Sequence, residues 1–118
     1  MMVSLPSSVR IWLAAQATDL RKSFDSLAEL VRQQLQADPL SGQLFVFRNK
    51  RADRVKLLYW DEDGFVIVYK RLEAGAFRFP RAEAASVEIG AADLQMLLDG
   101  VDLASVKRGR RYRRPMPA

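Results

Sequence analysis

The stretch from Val55 to Tyr69 restricts the fold more than any other part of the chain. Val55–Trp60 and Phe65–Tyr69 are rich in β-branched and aromatic residues, and Asp61-Glu62-Asp63-Gly64 separates them. The Asp-Gly pair offers the positive φ angles that a primed hairpin turn needs, so an antiparallel strand pair is expected. A loop of two or four residues places Val55, Leu57, Tyr59, Val66 and Val68 on one face. Arg54, Lys56, Leu58, Trp60, Ile67, Tyr69 and Arg71 then share the other. A three-residue loop would mix the two sets, so the face assignment depends on the turn.

Other patterns supply partners for this hairpin. Val9-Arg10-Ile11-Trp12-Leu13 alternates as a strand with Val9, Ile11 and Leu13 on one face. Leu20, Phe24, Leu27, Leu30, Val31 and Leu35 recur at helical spacing, which predicts a helix over 20–36 capped by Thr18 or Asp19. Its polar face carries Arg21, Lys22, Asp25, Glu29, Arg32 and Gln33. Asp38-Pro39-Leu40-Ser41-Gly42 ends the helix, because proline disfavours helical geometry in the residue before it. Leu44-Phe45-Val46-Phe47 is apolar on both faces and reads as a central strand. Phe77-Arg78-Phe79-Pro80 reads as a short edge strand, since Pro80 cannot sit inside a ladder. Val87 and Ile89 suggest another short strand, and Ala91–Leu98 a second helix closed by Gly100. The expected fold class is α+β: a mostly antiparallel sheet of about five strands, one long helix packed on one face, a short C-terminal helix and a disordered basic tail. With 118 residues the chain has room for one domain, assigned to 1–104, and a tail at 105–118.

Charge is distributed unevenly. The net charge is +5, yet Lys107, Arg108, Arg110, Arg111, Arg113 and Arg114 follow one another with no acid among them. Residues 1–104 therefore hold 13 basic and 14 acidic side chains, a body at −1. Such a tail suits a polyanion, with Tyr112 placed to stack on a base, although solvated basic termini are also common. A second basic patch is Arg48, Lys50, Arg51, Arg54 and Lys56, opposed by Asp53; its plain alternative is an ordinary charged loop. Trp60 is expected to pack in the core rather than stack on a base.

Catalytic options are few. The chain contains no Cys and no His, which removes thiolate nucleophiles, imidazole bases and the usual zinc ligands. No phosphate-binding glycine loop is present, so no cofactor and no metal are expected. Asp61, Glu62 and Asp63 are adjacent in sequence, whereas catalytic carboxylates normally converge from separate elements. A solvated turn is the better reading, and a Mg²⁺ nuclease using Asp61 and Asp63 is a remote alternative. The longest early apolar run, Ile11–Ala17, spans seven residues and includes Gln16. No membrane association is expected, and the chain reads as cytoplasmic.

Four ordered blocks carry a resemblance. These are Thr18-Asp19-Leu20-Arg21-Lys22-Ser23-Phe24-Asp25-Ser26-Leu27; Asp38-Pro39-Leu40-Ser41-Gly42-Gln43-Leu44-Phe45-Val46-Phe47-Arg48-Asn49-Lys50; Lys56-Leu57-Leu58-Tyr59-Trp60-Asp61 with Gly64-Phe65; and Tyr69-Lys70-Arg71-Leu72-Glu73 with Gly75, Phe77 and Pro80. Over about Ser4–Pro80 the chain resembles the small accessory proteins, called TnpB, of bacterial transposable elements of the insertion-sequence-66 family; beyond Pro80 the likeness is weak. It departs from the family at Gln43, where members often have His, and at Val66-Ile67-Val68, where they often have Trp. The resemblance implies a noncatalytic accessory factor that acts with a separate, larger transposase and is unrelated to the RNA-guided nucleases of the same name. The expected function is DNA binding, or assembly of the transposase on element ends. Arg48, Lys50, Arg51, Arg54, Lys56 and the six tail cations would contact phosphate. The alternative is a module that binds the transposase without touching DNA, with Asp19, Arg21, Lys22, Lys70 and Arg71 as its partner surface.

Overall fold

A computed structural model describes residues 8–100. Along the chain lie β1 (Ile11–Ala14), α1 (Phe24–Gln33), β2 (Leu44–Arg48), β3 (Arg54–Asp61), β4 (Gly64–Arg71), β5 (Ser86–Ile89) and α2 (Ala91–Leu98). The five strands form one sheet in the order β4-β3-β2-β1-β5. β1 and β2 run parallel, pairing Ile11 with Leu44 and Leu13 with Val46, and the chain between them carries α1. The other three pairings are antiparallel, so the sheet is mixed.

Strand parity explains why helices cover both faces. Ile11, Leu13, Leu44, Val46, Val55 and Leu57 form one apolar face, against which Leu94, Leu97 and Leu98 of α2 and Phe77 pack. Ala14, Phe45, Phe47 and Leu58 form the other, covered by Leu27, Ala28 and Val31 of α1 together with Leu20. β2 is central, as its unbroken apolar run implies: Leu44, Phe45, Val46 and Phe47 are all 0% exposed.

The hairpin closes with Asp61 opposite Gly64, leaving Glu62 and Asp63 as a two-residue loop. This produces the expected face sets, with Val55, Leu57, Tyr59 and Val68 on the α2 side and Leu58 and Ile67 on the α1 side. The turn chemistry differs from expectation. Gly64 lies in the ladder, and Glu62 takes the left-handed conformation at φ +52°. Trp60 faces Phe65 across the ladder, edge to face, with ring centroids 5.0 Å apart.

Two elements depart from the sequence expectation. α1 is ten residues long rather than spanning 20–36, and its N-cap is Ser23 instead of Thr18 or Asp19. The Ser23 N–H donates to Ser26 Oγ, and the Ser23 carbonyl accepts from Leu27 N–H. Leu20 is buried, but it reaches the core from a turn in which Lys22 N–H donates to the Asp19 carbonyl, so helical spacing overstated the helix. Phe24 consequently lies 45% exposed at the start of α1. After Gln33 the chain leaves the helix, with Gln36 at φ +51°. Phe77–Pro80 forms no strand. Its anchor is Phe77 N–H to the Ala52 carbonyl at 2.7 Å, plus burial of the Phe77 ring under α2, so side-chain docking replaces a ladder.

Glu62 is a testable site, because an L-residue in the left-handed region is strained by roughly 1–2 kcal/mol, part of which glycine's chain entropy would return. Glu62→Gly is expected to raise stability by about 0.5–1 kcal/mol. Urea denaturation at matched m-value measures it, and an unchanged or lowered midpoint contradicts the strain.

Candidate nucleic-acid interface

Because β1 and β2 are parallel, the segments that leave them, Ala15–Thr18 and Arg48–Lys50, emerge at the same end of the sheet. Crevices outside the carboxyl ends of parallel strands are common ligand sites. The Thr18 N–H donates to the Arg48 carbonyl at 2.8 Å, tying the approach to α1 to the end of β2. Asn49 organises the β2–β3 loop. Its Nδ2 donates to Asp53 Oδ1 at 2.6 Å, its Oδ1 accepts from Arg54 N–H, and its backbone N–H donates to the Arg54 carbonyl. Ala52 N–H closes the loop on the Asn49 carbonyl, with Ala52 itself at φ +57°. Across the hairpin, Arg54 pairs with Arg71 and Lys56 with Tyr69.

These elements surround a 280 Å³ cleft lined by Asp19, Arg21, Asn49, Arg51, Arg54 and Tyr69. A shallower depression next to it adds Thr18 and Lys50. Arg21, Lys50, Arg51 and Arg54 line these two hollows, Lys22 follows Arg21, Arg71 lies across the ladder from Arg54, and all six are exposed. Three carboxylates answer these six cations. Asp19 holds Arg21 in a two-pronged pair, Glu73 holds Arg71 at 2.9 Å, and Asp53 is bonded to Asn49. Arg54 Nη1 donates to Tyr69 Oη at 3.3 Å. No side-chain bond ties Lys50 or Arg51 to another described residue, so both cations are available.

Two expected contact residues are committed to the fold. Lys56 is 8% exposed; its ammonium donates to the Lys22 carbonyl at 2.7 Å and sits 4.8 Å from the Tyr69 ring centre. Arg48 is half-buried, donates to the Ala15 carbonyl at 3.1 Å and lies over the Phe79 ring. Both hold the platform from beneath. Lys70 is also structural: its ammonium donates to the Leu98 carbonyl at the end of α2. Lys107, Arg108, Arg110, Arg111, Arg113 and Arg114 lie outside the described residues. Asp61, Glu62 and Asp63 are exposed at the far end of the hairpin. Among the described residues no helix is long and apolar enough to cross a membrane.

Sequence reasoning overlooked Asn49 as an organiser. Its signal was an amide at a strand end, four residues before an acid, able to bridge side chain and backbone. It also overlooked a 720 Å³ cleft on the other side of the loop, lined by Gln16, Arg48, Phe77, Phe79 and Arg81.

Hydrogen bonds from the Arg21 side chain, then from its backbone N–H, bring the Asp19 pKa from 3.8 down to about 2. A depressed carboxylate adds stability above its unfolded value near 4, and that stability is lost as pH falls through about 2. In Arg21→Ala the Asp19 carboxyl should titrate higher but stay below 3.8, because the backbone donor at position 21 remains. NMR titration of the Asp19 carboxyl carbon measures both midpoints; equal midpoints would refute the pairing. Lys56→Ala is expected to cost about 1–3 kcal/mol, because the Lys22 carbonyl loses a charged donor. Chemical denaturation reads it, and a loss under 0.5 kcal/mol, about half the usual worth of one hydrogen bond, contradicts the role.

The comparisons with known proteins follow the same blocks. A family model described as IS66 Orf2 like protein matches residues 9–108, reaching through α2 and beyond the expected limit at Pro80. The chain is 37% identical over 107 residues to the uncharacterized protein y4jC of Sinorhizobium fredii strain NGR234, covering 91% of this chain and 92% of that one. It is 42% identical over 100 residues to the uncharacterized protein y4hO of the same strain, covering 83% and 87%. No solved structure matches. With a family match over most of its length, the chain belongs to the IS66 Orf2-like family, the Orf2 accessory proteins of insertion-sequence-66 elements.

Proposed function

We propose that the protein is a noncatalytic transposition factor that binds DNA phosphates at the basic end of its sheet, and so helps seat a separate transposase on element ends. One observation carries this reading: segments distant in sequence, 19–21, 49–54 and Tyr69, meet around one cleft lined by Arg21, Arg51 and Arg54, with Lys50 in the depression beside it. Arg54 and Arg71 lie directly opposite each other in the ladder, an arrangement that costs stability in a sheet. A polyanion across both guanidinium groups would offset that cost. Tyr69, 49% exposed beside them, adds an aromatic surface. The six cations at 107–114 would extend the same phosphate contact, positioning the protein rather than reading sequence.

The noncatalytic part rests on chemistry. The chain has no His or Cys, and its densest acidic run occupies one exposed hairpin turn at the opposite end of the sheet from the cations.

The test uses Lys50→Glu with Arg51→Glu, two exposed cations of the β2–β3 loop, on duplex DNA from an element end. Affinity should fall at least about tenfold, equally on unrelated duplexes, and the slope of log affinity against log salt should shrink by about 2. Unchanged affinity and slope, with the transposase still captured in a pull-down, would replace this reading with a protein-binding module.

A further inference from the structure

The two edges of the sheet are built differently. β5 has four residues, with Glu88 tied to Arg10 at 2.6 Å and Gly90 ending it. Short, charged edges of this kind resist further pairing. β4 is the opposite case. It pairs with β3 over eight consecutive residues without a bulge, contains no proline, and runs apolar or aromatic from Phe65 to Tyr69. Among the described residues, its other side faces no strand of the sheet. Lys70, the charge best placed to blunt this edge, is turned to the Leu98 carbonyl instead.

Charge decides what such an edge accepts. Acids occupy one end of the hairpin, at Asp61, Glu62 and Asp63, and the other end carries the exposed Arg71, whose guanidinium also meets Glu73 at 2.9 Å. A second β4 laid antiparallel sets acid against base at both ends, whereas a parallel one sets like against like. The strand is thus complementary to itself under a two-fold axis, the symmetry of most homodimers.

We infer that β4 is the homodimerisation edge, pairing with β4 of a second copy about a two-fold axis at Ile67. In this register Ile67 meets its own mate, Val66 meets Val68, Phe65 meets Tyr69, and Asp63 meets Arg71. Phe65 and Tyr69 form aromatic cross-strand pairs, and Gly64 leaves room for Lys70. The result is a continuous ten-stranded sheet with both copies of α1 on one face, β5 at its outer edges, and each basic cleft beside the central seam, where Tyr69 of β4 lines it. A strand-edge interface is small, so dimerisation depends on concentration, on the order of 10 µM.

Charge exchange tests the pairing in the full-length chain without DNA, by sedimentation equilibrium at low salt. The wild type should approach twice the 13.4 kDa monomer mass by about 100 µM. Asp63→Arg and Arg71→Glu should each weaken association by about tenfold. An equimolar mixture should recover it, because each variant then meets its opposite at both ends. The native chain lacks cysteine, so Ile67→Cys should oxidise to a disulfide-linked dimer faster than Val66→Cys, since only residue 67 faces itself. A wild type monomeric at 100 µM, a mixture no tighter than its components, or equal cross-linking at 66 and 67 overturns the proposal.

Discussion

Burial of β2 on both faces is the constraint on which the rest of the structure depends. Leu44 and Val46 point into one core, Phe45 and Phe47 into the other, and none retains solvent exposure. At roughly 1.5–3 kcal/mol per fully buried large side chain, these four contribute on the order of 10 kcal/mol before entropy is counted. That is comparable with the whole net stability of a domain this size. A strand with two apolar faces needs a helix on each side, and the chain supplies one from each direction. α1 arrives in the connection before β2, and α2 comes last, against the face formed by Ile11, Leu44, Val46 and Leu57.

The same constraint places the cleft. A connection that carries a helix lets β1 and β2 run parallel, and parallel neighbours release their following segments at one end. Thr18 can then bond the end of β2, and Asn49 can bind the start of β3, in a platform built mostly of backbone bonds. Lys56 and Arg48 use their charges to hold carbonyls of that platform, which leaves Lys50 and Arg51 at the rim. Cations inside a platform and cations on its surface therefore do different work, although sequence treats them alike.

Much of the sheet was legible because period-two patterning and a two-residue loop fix faces without reference to distant residues. The central position of β2 needed nothing else, whereas the hairpin sets around Leu57 and Leu58 also needed the loop length, which pairing of Asp61 with Gly64 fixes at two. Helix length was less legible. Leu20 continues the spacing of Leu27 and Val31, yet it enters the core from a turn, and periodicity cannot separate these cases. The strand expected at Phe77–Pro80 failed for a related reason: an apolar alternation says that side chains are buried, and whether backbone pairs beside them depends on a free neighbouring edge. At the cleft, sequence named the cations but could not tell Lys56 from Lys50. That difference comes from cross-strand register and the distance to one carbonyl.

Net charge was the weakest guide of all. Residues 1–104 carry one more acid than base, which taken alone argues against a partner rich in phosphate. Folding separates what composition averages. β3 and β4 run side by side for eight residues, at about 3.4 Å each, and so carry the acidic turn well over 20 Å from Arg54 and Arg71. That span exceeds the screening length of about 8 Å at physiological salt, so the two ends act as independent electrostatic surfaces. A polyanion approaching this end of the sheet meets six exposed cations and three carboxylates, two of them each paired to one of those arginines. The near-neutral body is therefore compatible with a strongly basic working end, and the acidic turn is left free to serve a different contact.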